Sequence, residues 1–143
     1  KDLPKFYNAL STGKGEFING SRLVYQMHEK AMRSLNKAGN IFFSNVFSWL
    51  LEQRITDTLC GTKVLFKNDY IKLVENRKYF GDFDPFGDFD LLFGAAKLNL
   101  KIIEIPVRYG ERTYGETNIN RFRDGMMLLR MCFFAMRKIK FNL

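Results

Sequence analysis

Phe80-Gly81-Asp82-Phe83-Asp84 and Phe86-Gly87-Asp88-Phe89-Asp90 are identical pentapeptides separated by Pro85. The duplication gathers four carboxylates, Asp82, Asp84, Asp88 and Asp90, into nine residues of a chain whose 23 Lys and Arg outnumber its 15 Asp and Glu. Carboxylates crowded between phenylalanines repel one another and lose hydration, which raises their proton affinity and suits a general base. The alternative reading of Asp88 is that it caps the following helix, where negative charge is favoured, with the other acids simply solvated. Metal binding is a third reading, on which Asp-x-Asp spacing by itself carries little.

The other candidates are cationic or turn-forming. Arg108-Tyr109-Gly110-Glu111-Arg112-Thr113-Tyr114-Gly115-Glu116-Thr117-Asn118 offers two guanidinium groups, Arg108 and Arg112, with the hydroxyl of Tyr114 and a mobile Gly115. A planar guanidinium binds phosphate oxygens through two bonds at once, and glycines let the backbone close over them, so a diphosphate fits this loop. An ordinary surface loop with a few ion pairs is the competing reading. Arg22, in Asn19-Gly20-Ser21-Arg22 at the carboxyl end of an expected strand, is a second anion contact, because open α/β sheets place ligands there. In Asp57-Thr58-Leu59-Cys60-Gly61-Thr62-Lys63, Gly61 allows close backbone approach and Lys63 supplies charge; both also suit plain turn chemistry. His28 is the only histidine and reads as a surface residue.

Six cations (Arg121, Arg123, Arg130, Arg137, Lys138, Lys140) and one acid (Asp124) lie in residues 121–143, among Met126, Met127, Leu128, Leu129, Met131, Phe133, Phe134 and Met136. Such a segment reads equally as an amphipathic membrane-surface helix or as a core helix with a basic exposed end. No run approaches the roughly 20 apolar residues of a spanning helix.

These side chains need a scaffold. The 143 residues are 46% apolar and 27% charged, the composition of one folded domain, and exclude a disordered tail. Cys60 and Cys132 are too far apart in sequence for a C-x-x-C zinc pair, and two reduced thiols fit best. Periodicity predicts helices over 1–10, 26–53 (with Gly39 as a break point), 68–75, 88–98 and 119–140, and strands over 17–24, 60–66 and 100–107. Pro106 fits only a strand end or an edge. The alternation means α/β layers around a narrow sheet of about three strands. The formal charge of +8 calls for an anionic partner. A small basic nucleic-acid-binding module is the runner-up, but the aromatics gather around acids, which a phosphate backbone avoids, so no nucleic acid is expected. A non-catalytic membrane-peripheral segment is the third alternative.

With these motifs the chain resembles the carboxyl-terminal half of a family 2 glycosyltransferase of GT-A fold, in the dolichyl-phosphate mannosyltransferase and polyprenyl-phosphate glycosyltransferase branch. Asn19-Gly20-Ser21-Arg22 is similar to its G-S-R strand end, and residues 57–67 (D-T-L-C-G-T-K-V-L-F-K) to its D-x-x-x-G-x-R/K strand. Gly87-Asp88-Phe89-Asp90-Leu91 is similar to its acidic motif, and residues 105–118 (I-P-V-R-Y-G-E-R-T-Y-G-E-T-N) to its V-P-I-x-F-x-x-R-x-x-G-x-S-K element. Gly87 stands where many relatives carry Glu or another polar residue, and Thr117-Asn118 replace Ser-Lys.

The resemblance implies a partial GT-A fold in which residues 1–143 are the acceptor-side portion and the nucleotide-binding half is missing. It implies transfer of a sugar, with inversion, from a nucleotide diphosphate sugar to a hydroxyl or a polyprenyl-phosphate acceptor. Asp88 and then Asp90 would be catalytic. Asp82, Asp84 and Gly61 would lie on the acceptor side, and Arg22, Lys63, Arg108, Arg112, Tyr114 and Gly115 around the donor or its phosphates. A divalent metal, Mg or Mn, is implied, its main ligands preceding residue 1, so that these residues by themselves would not turn over. The setting implied is cytoplasmic, peripheral at the inner face of a membrane through residues 121–143.

Overall fold

The computed structural model describes residues 2–22, 34–76, 87–108 and 121–141. They form α1 (Leu3–Ser11), β1 (Phe17–Ser21), α2 (Ser34–Leu51), β2 (Lys63–Leu65), α3 (Lys67–Glu75), α4 (Asp88–Lys97), β3 (Ile102–Pro106) and α5 (Arg121–Lys140). The strands make one mixed sheet of order β2-β1-β3, with β1 antiparallel to β2 and parallel to β3. The expected α/β class and narrow sheet are both present.

Register explains the layering. Paired residues on neighbouring strands project to the same face, and successive residues to opposite faces. Phe17 pairs with Leu65 and Ile102, and this row meets the larger core with Phe43, Phe47 and Leu50 of α2, Phe89, Leu92 and Phe93 of α4, and Leu128, Met131 and Ala135 of α5. Ile18 pairs with Val64 and Ile103, and this row meets Phe6, Ala9 and Leu10 of α1 in a smaller core on the other face. Every residue of the central strand β1 is buried. The third row is polar: Asn19 lies between Lys63 and Glu104.

Several expectations shift at their ends for local reasons. The strand expected over 17–24 ends at Ser21, because Arg22 turns out of the ladder and gives its backbone N–H to Asp57 Oδ2 (3.0 Å). Residues 23–33, which include His28 and the start of the long helix, lie outside the described residues. Within α2 there is no break at Gly39, where glycine costs only about 1 kcal/mol against the burial of Phe43, Phe47 and Leu50 further along. Strand 60–66 shortens to Lys63–Leu65, since Phe66 is already the extended residue that starts α3. Pro106 is the last residue of β3, which lies at an edge of the sheet among the described residues, where its missing N–H costs no ladder bond.

Asp88 does not cap α4. Gly87 occupies the cap with φ +75°, a left-handed conformation that glycine adopts without steric cost. Asp88 and Asp90 instead fall in the first turn, where their charge complements the helix dipole.

Candidate functional site

Two clefts open at the end of the sheet where the parallel strands β1 and β3 finish and the antiparallel β2 begins. The first, about 410 Å³, is lined by Gly61, Lys63, Gly87, Asp88 and Asp90 on its polar side and by Tyr70, Leu73, Val74 and Leu91 on its apolar side. The second, about 350 Å³, is lined by Asp2, Leu3, Arg22, Cys60, Gly61, Thr62, Val107 and Arg108. Gly61 lines both. A Cβ built there meets nothing within 4 Å, so a side chain at this position would enter open space.

The first cleft owes its polar wall to core packing. Phe89 is buried against Phe43 and Phe47, with centroids 5.4 and 4.4 Å away, and this anchors the first turn of α4. Neighbouring helical residues are rotated by about 100°, so burying Phe89 turns Asp88 and Asp90 to either side of the core-facing direction. Lys63 Nζ donates to Asp88 Oδ1 at 2.5 Å and also to the carbonyl oxygen of Cys60. The lysine side chain is only 4% exposed and the aspartate 17%. Sequence reasoning surrounds Asp88 with other acids and gives Lys63 to phosphate; in the fold the two face each other, and the neighbour of Asp88 is a cation. Asp90 also lines this cleft, half-buried, with Oδ1 shut off from solvent.

The second cleft is built on another charge pair. Arg22 Nε donates to Asp57 Oδ2 at 2.7 Å and Nη2 to Oδ1 at 2.8 Å, a two-bond fork. Asp57 is completely buried and also accepts the Leu59 N–H at 3.2 Å. Arg22 therefore reaches the cleft wall with its guanidinium oriented by a buried carboxylate. Arg108 stands exposed on the same wall.

Cys60 is a buried residue in the lining of the second cleft. Burial pushes its thiol above the ordinary range, and the Asp57 charge adds to the rise. The contribution of this raised thiol to stability is complete below about pH 8.5 and is lost as the pH rises through its folded value. Iodoacetamide is expected to label Cys60 at pH 7.5 only as fast as the protein unfolds, and denaturation midpoints to fall between pH 8 and pH 10. Rapid labelling of the folded protein would contradict this.

Asp82, Asp84, Arg112, Tyr114 and Gly115 lie outside the described residues, as does the first of the two pentapeptides. The implied divalent metal finds no seat in the remainder: among the described residues no three His, Cys, Asp or Glu side chains converge on a point that would hold one. Among the described residues no helix is long and apolar enough to cross a membrane.

Two buried or half-buried acids escape the sequence reading. Asp57 opens the D-T-L-C-G-T-K run as the first residue of the D-x-x-x-G-x-R/K pattern, but only Gly61 and Lys63 are given a role there. Glu104 interrupts the apolar strand Ile102-Ile103-Glu104-Ile105. The signal available for both is the same: an acid in a segment otherwise fit for burial requires partners.

No family profile matches the chain, and no solved structure matches it. It is similar to a dolichyl-phosphate hexose transferase of Haloferax volcanii, 29% identical over 123 residues, which cover 86% of this chain and 50% of that protein. It is similar also to glycosyltransferase AglJ of the same organism, 26% identical over 125 residues, covering 87% of this chain and 39% of that protein. The chain thus spans about half the length of the first and two-fifths of the second. Across nearly the whole of its own length, the chain is similar to glycosyltransferases.

Proposed function

We propose that the full-length protein transfers a sugar, with inversion, from a nucleotide diphosphate sugar to an acceptor held in the first cleft, and that the present residues are the acceptor-side portion of a family 2, GT-A-type domain. The observation that carries this reading is the shared Gly61: one cleft holds a carboxylate paired to a lysine, the next holds two arginines, and a single residue without a side chain lies between. In the reaction, an acceptor oxygen attacks the anomeric carbon as the bond to the diphosphate oxygen breaks on the opposite face. Arg22 and Arg108 offset the charge growing on the diphosphate. A hydroxyl acceptor gives its proton to Asp88; an ionised phosphate acceptor has none to give.

Lys63 bears on the choice of acceptor. Carboxylates without a cation would repel a phosphate nucleophile, and Lys63 cancels that repulsion at Asp88. The name of the dolichyl-phosphate relative and the apolar wall of Tyr70, Leu73, Val74 and Leu91 both favour a polyprenyl phosphate over a plain hydroxyl.

Incubating the full-length protein with a panel of nucleotide diphosphate sugars, and with either a polyprenyl phosphate or a hydroxyl acceptor, is expected to yield a glycosylated product with one donor. Gly61→Leu is expected to fold normally, because its Cβ enters open space. Its larger side chain then intrudes on the two clefts that residue 61 lines and reduces transfer at least tenfold, within the roughly hundredfold that misplacing reactants by one ångström can cost. Failure of the whole panel, with no donor raising the melting temperature, would overturn the reading.

The setting is peripheral, at the inner face of a membrane. α5 buries Leu128, Met131, Cys132 and Ala135 in the core, yet leaves Met126 (68%), Leu129 and Phe133 (59%) exposed beside Arg130 and Arg137. The core reading describes the buried face, and the exposed apolar and basic side chains support reading the other face as the one that meets the membrane. Vesicles containing anionic lipid are expected to carry the protein in flotation, and Met126→Ser with Phe133→Ser to release it; flotation unchanged by the pair would remove α5 from this role.

A further inference from the structure

Glu104 lines neither cleft, yet four polar groups converge on its carboxylate. Oε1 accepts the N–H groups of Thr56 (2.9 Å) and Asp57 (3.2 Å) and the side-chain amide of Asn19 (3.1 Å). Oε2 accepts the Thr56 hydroxyl at 2.6 Å and shares its N–H at 3.0 Å. Asn19 in turn gives its amide to the Asp57 carbonyl oxygen at 2.8 Å. The backbone at 56–57 is thus held at both its donors and one acceptor by two side chains of the sheet's polar row.

This attachment bears directly on the second cleft. The residue whose N–H Glu104 holds is Asp57, and the carboxylate of Asp57 is what fixes Arg22 in its two-bond fork. A guanidinium on a flexible three-carbon stem loses orientation unless its partner is itself immobile. A half-buried carboxylate in an apolar strand costs desolvation, which four donors to the charged form offset. The arrangement has the shape of a relay: β3 holds the turn, the turn holds Asp57, and Asp57 holds Arg22 at the cleft wall.

We propose that Glu104 is a positioning residue for anion binding, acting on the ligand only through Asp57 and Arg22; this rests on the reading of the second cleft as the place of the diphosphate. A merely structural Glu104 would stabilise the loop without coupling to Arg22. The two roles differ in how mutations combine, since groups that act through one another are non-additive and independent ones add.

The test uses the full-length protein, inorganic pyrophosphate as probe, and isothermal titration at a temperature where circular dichroism shows each variant folded. Glu104→Gln is expected to weaken pyrophosphate roughly tenfold, about the worth of one charge-assisted hydrogen bond. Arg22→Lys, which keeps the charge beside Asp57 but loses the fork, is expected to weaken it at least as much. In the Arg22→Lys background Glu104→Gln should add less than about twofold. Wild-type affinity in Glu104→Gln, or losses that multiply, would overturn the positioning role alone. Wild-type affinity in Arg22→Lys would overturn the anion reading of the cleft and leave Glu104 nothing to position. If Glu104→Gln does not fold, Glu104→Asp retains the charge but draws the carboxylate back by one methylene, and the same loss and the same cancellation are expected of it.

Discussion

Asparagine in place of Asp88 is expected to slow transfer to a hydroxyl acceptor by about 10²–10⁴-fold, the contribution of a positioned general base, while nucleotide binding stays within about twofold. The substitution suits the geometry. The amide oxygen can still accept from Lys63, which keeps the lysine in place, but the side chain can no longer take a proton. Steady-state rates with the two acceptor classes separate the roles that Asp88 could fill. With a polyprenyl phosphate, whose oxygen is already ionised, the loss should stay under about tenfold, because no proton has to be removed. Unchanged turnover with a hydroxyl acceptor would take Asp88 out of the base role. Equal large losses with both would mean that its charge, held against Lys63, matters more than its basicity.

The second large effect is on stability. Arg22→Ala leaves Asp57, which is 0% exposed, without the cation that forms two bonds to it. Removing one partner of a buried pair costs roughly 3–5 kcal/mol, because the remaining charge is stranded in the interior. Of the bonds to Asp57, the Leu59 N–H and the backbone N–H of residue 22 remain and recover part of that. Chemical denaturation of Arg22→Ala at neutral pH is expected to show this loss. Arg22→Lys should cost less, since it retains a cation. A loss below about 1 kcal/mol for Arg22→Ala would mean that solvent reaches the pair and that its worth is that of a surface ion pair.

Much of the secondary structure was legible because its causes are local. The three- and four-residue spacing of Leu35, Ala38, Phe42, Val46 and Trp49 suffices to mark α2 as a helix but not its buried face, since Phe42 and Trp49 are exposed while Phe43, Phe47 and Leu50 enter the core. The run Ile102-Ile103-Glu104-Ile105 suffices for β3, and Pro106 marks the end of that strand. Boundaries moved where a distant partner intervened, as when Asp57 draws Arg22 out of β1. The four candidate residues Gly61, Lys63, Asp88 and Asp90 do share a cleft, and Arg22 and Arg108 share the neighbouring one. Their selection rested on residue types suited to phosphate and proton chemistry at strand ends and at a helix start, positions that period and turn signals can locate.

What the amino-acid order by itself determined is the set of elements, the class of the fold and the identity of the groups available for chemistry, because hydrophobic period, turn residues and charge act over a few positions. Which of those groups face each other was decided only by the tertiary structure. Lys63 and Asp88 are 25 residues apart, Arg22 and Asp57 are 35, and Glu104 is 47 from Asp57. Each pairing follows from the register of β1 with β2 and β3, and from the burial of Phe89 that sets the first turn of α4. Register is a property of strands brought together by a shared core. A lysine that charge alone assigns to a phosphate becomes the partner of an aspartate once Asn19 is aligned with Lys63 on one side and with Glu104 on the other.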